Sequence, residues 1–268
     1  MNRSFSGEFL YQVFALIIAV IIVHAVYVTL VRPQATVIMA EQAMLIEQDE
    51  TYTPERSLYV LIRDFEQEAC FVLMFWAFSI MGFKAFRAVG ERKLLQEELV
   101  PVPEGVRILP EDSREYARNI QSLPDRVRGM LLPRVMLSSL ERFGSTRNVQ
   151  DVSSVANTLC ESEGERLESE LSMIRYIAWA IPSVGFIGTV RGIGEALSQA
   201  HRAVDGDIAG VTESLGTAFN STFIALLISI VVMFLVHQLQ LLQERQVFDT
   251  QTYIDHNLIR HMQVRGRG

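Results

Sequence analysis

The stretch Ala178–Leu197, AWAIPSVGFIGTVRGIGEAL, decides how this chain is read. It is apolar enough to lie in a bilayer, yet Gly185, Gly188 and Gly192 recur in it at helical spacing, with Pro182 at their head and Ser183 and Thr189 beside them. Residues three and four apart share one face of a helix, so Gly185, Gly188, Thr189 and Gly192 make a stripe almost without side-chain bulk. A second helix can approach closely along such a stripe. Two readings are open from the spacing alone: a packing seam between transmembrane helices, or the wall of a pore.

Outward from this stretch, the apolar residues, 49% of 268 beside 21% charged, gather in four runs. Phe9–Val31 is 23 residues without a formal charge, enough to cross a hydrocarbon core of about 30 Å. Ala69–Phe83 is an uncharged run of 15 between Glu68 and Lys84, and Lys84 and Arg87 can snorkel to the headgroups. Tyr176–Val190 is a run of 15 between Arg175 and Arg191, and Ser214–Gln243 a charge-free run of 30. The last exceeds what a bilayer needs, so its helix is expected to project beyond it. Phe9–Val31 is too long for the apolar region of a signal peptide and no small-x-small site follows it, so it reads as a retained helix.

Charge orients the four spans. Arg32–Gln67 holds three basic and seven acidic residues, whereas Lys84–Leu171 holds thirteen Lys and Arg. By the positive-inside rule the long middle segment and both termini are cytoplasmic, with Arg32–Gln67 and Ser198–Glu213 outside. The external segment opens with Pro33, Glu41–Glu50 has helical composition, and Thr53-Pro54-Glu55 reads as a helix start. His24, within the first span, reads as a neutral imidazole bonded to a neighbouring helix. In the cytoplasmic segment Pro101, Pro103, Pro110, Pro124 and Pro133 each begin or end a helix, with short helices expected at about 111–121 and 134–143. Val135, Leu140 and Phe143 would face the long helices. Charges such as Arg87, Glu91, Arg92, Glu97 and Glu98 read as a solvated face.

From Val149 the apolar residues follow helical periodicity into the third span, giving one helix over about 149–198, about 75 Å long at 1.5 Å per residue. The fourth helix runs on through His237 and Glu244 toward His256. The expectation is an all-α membrane protein of four transmembrane helices, with helices 3 and 4 extended into a cytoplasmic helical bundle. Its parts are 1–87, the first two spans with the acidic external segment 32–67; 88–171, cytoplasmic helices; 172–243, helices 3 and 4; and 244–268, a cytoplasmic tail. Cys70 and Cys160 fall in different compartments on this topology and make no disulfide, and no cofactor or metal site is indicated. The net charge of −7 without a basic aromatic patch excludes nucleic acid as a partner. No Gly-x-Ser-x-Gly and no pair of mid-span acids supports an intramembrane enzyme, so no catalytic residue is assigned.

Pro182-Ser-Val-Gly-Phe-Ile-Gly-Thr-Val-Arg-Gly-Ile193 resembles the penultimate helix of the MotA/TolQ/ExbB ion-channel family, roughly Pro-x-x-Gly-x-x-Gly-Thr-x-x-Gly-hydrophobic. Ala218-Phe-Asn-Ser-Thr-Phe-Ile-Ala-Leu226 resembles its last-helix block, with Thr222 on the motif threonine and Ala225 in place of a glycine. The resemblance covers residues about 150–245. It implies a homopentameric ring in a bacterial inner membrane around a dimer of a single-span MotB/ExbD/TolR-like protein, which supplies the ion-binding carboxylate. The expected function is a channel-ring subunit that uses ion-motive force, proton or sodium, to do mechanical work. In lipid a passing ion needs oxygens or water in place of its hydration shell, and helices 3 and 4 offer Thr189, Thr222, Ser183, Asn220 and Ser221. Pro182, Gly185, Gly188 and Gly192 are the packing positions. Arg191, where the family carries an apolar residue, has Glu195 one turn on as a structural partner. A passive scaffold that uses the glycine stripe only for packing is the alternative.

Overall fold

A computed structural model describes residues 2–48, 52, 57–97, 99–100, 106–204 and 206–264. Thr53, Pro54, Glu55, Glu50, Glu98, Pro101 and Pro103, which carried sequence expectations, lie outside them. The regular structure of the described residues is helical, with one isolated β-bridge between Ile108 and Met262 and no strands. The order is α1 (Asn2–Val26), a π-helical turn (Tyr27–Val31), α2 (Arg32–Gln48), α3 (Leu58–Leu61), α4 (Phe65–Lys93), α5 (Ser113–Gln121), α6 (Asp125–Arg128), α7 (Leu131–Thr146), α8 (Val149–Glu170), α9 (Ser172–Ser198), α10 (Ala200–Val204) and α11 (Ala209–Asn257). Four helical stretches, Gly7–Gln48, Phe65–Gln96, Val149–Ser198 and Ala209–His261, are long and apolar enough to cross a membrane.

The chain divides into two compact units. The first joins Met1–Gly82 with Met173–Val236. Here the first span does not stop before Pro33 but continues as helix to Gln48. Proline removes one N–H from the ladder and crowds the carbonyl four residues back. The π turn absorbs this: the Arg32 N–H bonds to the carbonyl of Tyr27, five residues back. Pro182 likewise sits inside α9. Val23, Tyr27 and Val31 bury one edge of α1 and the π turn against Ile62, Phe71 and Val72. Most other side chains of α1 are exposed apolar groups, as a lipid-facing helix requires.

The second unit joins Phe83–Ser172 with His237–Gly268. Val135, Met136, Leu140 and Phe143 of α7 are fully buried and pack with Val152, Ala156 and Cys160 of α8 and with Ile254 and Leu258. Pro133 falls in the first turn of α7 and so stands at the start of that helix, where a missing N–H has no intrahelical partner to lose. Asn148 caps α8 by accepting a hydrogen bond from the Gln150 N–H at 2.9 Å. The expected single helix over 149–198 is broken once, by a turn at Leu171. Leu171 is itself fully buried, so the break serves a packed side chain rather than a loop.

Candidate functional site

The site grows from the seam between α9 and α11. A Cβ built on Gly185 would lie 2.4 Å from the Ala225 Cβ, on Gly188 2.6 Å from the Ser221 Cβ, and on Gly192 2.7 Å from the Ala218 Cβ. Real Cβ atoms do not approach so closely, so the stripe exists to bring these two backbones together within one chain. The seam also fixes which hydroxyls meet. Thr189 and Thr222 are hydrogen-bonded to each other. The Thr189 hydroxyl is also 3.1 Å from the Ala218 carbonyl and 3.3 Å from that of Gly185. The Thr222 hydroxyl is 3.3 Å from the same Gly185 carbonyl, across the helix boundary. Two hydroxyls and two carbonyls thus converge where α9 and α11 touch.

The other sequence candidates are placed elsewhere. Ser221 is fully buried against Gly188 and donates to the Thr217 carbonyl at 3.0 Å. Ser183 is half-buried and donates to the Trp179 carbonyl at 3.1 Å. Both are back-bonds within their own helices. Asn220 lines a separate groove with Thr217, Arg63 and Glu213.

Arg191 sits beside this seam and is held from two sides. Its Nη1 is 2.9 Å from Glu195 Oε1. Its Nε and Nη2 make a fork to Glu66, at 2.7 and 2.9 Å. Sequence reasoning missed Glu66, whose methylene also meets Gly188. It missed Glu68 too, a largely buried carboxylate that joins the His24 Nδ1 at 2.7 Å and pairs with Arg32. Arg32 in turn lies over the Phe65 ring, 4.3 Å from its centroid. The signal was present: two arginines at span ends need acids, and Glu66 and Glu68 open α4 in its first turn. Next to them, outside the spans, burial pushes the Asp64 carboxyl up against the opposing pull of Arg63 and Arg191. Among the described residues no group of three His, Cys, Asp or Glu could hold a metal.

Both threonines and the glycine stripe fall within one compared segment. Residues 130–252 match the MotA/TolQ/ExbB proton channel family. No curated protein and no solved structure matches the chain. The MotA/TolQ/ExbB match covers α7, α8, α9 and α10 whole and most of α11, so the hydroxyl pair lies within the matched segment, whereas His24, Arg32, Glu66 and Glu68 lie before it. The four apolar helices together with this match to a proton channel family support a multi-pass membrane protein.

Proposed function

We propose that the chain is a channel-ring subunit of an inner-membrane motor driven by ion-motive force. Several copies, five by family resemblance, surround a dimer of a single-span MotB/ExbD/TolR-like protein whose carboxylate carries the proton or sodium ion. Both termini are cytoplasmic and the far ends of helices 3 and 4 form a cytoplasmic bundle. The observation that carries the reading is the Thr189–Thr222 hydroxyl pair, formed where the glycine stripe closes α9 onto α11. A travelling ion needs such oxygens where water is excluded. A membrane potential of about 150 mV supplies about 3.5 kcal/mol per charge, enough for small subunit rearrangements.

The deciding substitution is Thr222→Val, which keeps the shape and removes the donor and acceptor. It is expected to leave oligomer size and partner binding intact and to reduce ion-driven flux in membrane vesicles at least ten-fold, while Thr222→Ser keeps part of it. Wild-type flux in Thr222→Val would reduce the pair to a helix tie. That outcome belongs to the second reading, a passive scaffold. It is favoured by one observation: each threonine hydroxyl also bonds a backbone carbonyl, as a tie between helices would.

A further inference from the structure

The second unit gathers polar side chains where α4, α7, α8 and α11 meet. Lys84 Nζ is 2.8 Å from Glu170 Oε2, Arg166 Nη1 is 3.0 Å from Glu170 Oε1, and Glu163 is held by both Arg134 and Arg166. Glu91 of α4 ties in two further elements. Its Oε2 accepts from Gln246 Nε2 of α11 at 2.6 Å and from the Leu131 N–H, in the first turn of α7, at 3.3 Å. Its Oε1 has no hydrogen-bond partner among the described residues. Gln243, one turn before Gln246 and 4% exposed, has a buried Oε1 that likewise meets no donor.

Glu91 and Gln243 line one pocket of about 20 Å³, with Lys84, Arg87, Arg166 and Glu170 around it, space for a single water. All of these residues belong to the second unit. A carboxylate oxygen and an amide oxygen both accept, so neither satisfies the other until a hydrogen is supplied. The neighbouring cations are engaged with other acids, Lys84 with Glu170 and Arg166 with Glu163 and Glu170, while Arg87 is exposed. Glu91 lies beyond the uncharged run that ends at Phe83, and burial, with Glu163 adding to it, raises its carboxyl above the ordinary range against the Leu131 N–H and the charges of Arg87 and Arg166. We propose that Glu91 is a proton-binding site of the second unit, whose neutral carboxyl donates its O–H across the pocket to Gln243 Oε1 and so ties α4 to α11. The proton comes from solvent, on the cytoplasmic side in the proposed topology. Acidification there closes the tie and alkali opens it. These contacts all lie within one unit, and the channel reading does not enter.

The test is an infrared titration of the full chain in detergent, wild type against Glu91→Gln, which keeps the size and an oxygen for Leu131. The wild type should show a protonated-carboxyl C=O band, missing from Glu91→Gln, with a midpoint at least about one pH unit above the ordinary value of about 4.3. Gln243→Leu should shift that band to higher frequency, as the acid loses its acceptor. A carboxyl raised on folding lowers stability once pH exceeds its folded value. Glu91→Gln should therefore unfold at a higher temperature than the wild type at pH about 8 and close to it at pH about 5. Absence of the band, or a midpoint at the ordinary value, overturns the proton site and leaves a carboxylate bridged to Gln243 by water. A difference in unfolding temperature that is the same at both pH values overturns it too. A band unmoved in Gln243→Leu overturns Gln243 as the acceptor; the wild-type titration decides the proton site even where that variant does not fold.

Discussion

Arg191 accounts for two carboxylates at once, and the two are unequal. Glu66 receives the guanidinium fork and is 12% exposed at its side chain, whereas Glu195 receives one bond and is 47% exposed. An exposed pair contributes about 0–1 kcal/mol, whereas leaving one member of a buried pair alone costs about 3–5 kcal/mol. With Arg191 itself 38% exposed, the Glu66 pair belongs between these limits. Arg191→Ala should therefore destabilise the chain by about 1–3 kcal/mol, and Arg191→Ala with Glu66→Ala by less than the sum of the singles. Glu195→Ala should change little. Thermal unfolding of the four variants in one detergent measures this, and strictly additive effects would remove the coupling. The sequence offered Glu195 as the partner because i,i+4 neighbours are visible along a chain. Glu66 is 125 positions away, and only the packing of α4 on α9 brings it near.

At the scale of elements, small residues decide how near α9 and α11 come. Gly192→Ala places a methyl 2.8 Å from the Ser214 carbonyl and 2.7 Å from the Ala218 Cβ. Backbone on the facing helix cannot rotate away, so the helices must separate, at about 1–3 kcal/mol. Gly194→Ala meets nothing within 4 Å and should be neutral or stabilising by about 1 kcal/mol, the gain in helix propensity. Gly192→Ala should also lower flux by moving Thr189 from Thr222, whereas Gly194→Ala should not; equal behaviour of the two would show that the seam is loose. The seam was legible because glycines at helical spacing in an apolar run have few other uses. The continuation of the first helix through Pro33 was not, since a proline ordinarily ends a helix and the π turn that accommodates it has no sequence signature. The break at Leu171 was equally hidden, because the apolar periodicity runs through it unchanged.

At the scale of the whole molecule, each compact unit encloses one free cysteine, Cys70 in the first and Cys160 in the second. Each thiol therefore reports the opening of its own unit. The second unit is tied across α7 and α8 by Glu163, whose carboxylate is 2.7 Å from Arg134 Nη2 and is also held by Arg166. Burial raises the Glu163 carboxyl, but hydrogen bonds from Arg166 and Arg134 outweigh it and hold it below the ordinary carboxylate range. A carboxyl lowered on folding contributes its full stability above its unfolded value, about 4.3, and loses it as pH falls through the folded value. Burial also pushes the Cys160 thiol up to about 11, so it reacts chiefly when the unit opens. A pyridyl disulfide, which reacts in acid as well as at neutrality, should label Cys160 at least ten-fold faster in Glu163→Gln than in the wild type at pH 7. Below pH about 4 the wild-type rate, corrected for the unfolded chain at each pH, should rise toward that of the variant, because the wild-type carboxyl is then being neutralised too. Cys70 should label alike in both proteins throughout. A rate ratio at Cys160 that stays constant from pH 7 to pH 3 would mean that Glu163 acts by shape and not by charge, and the acid sensitivity would have to come from another group.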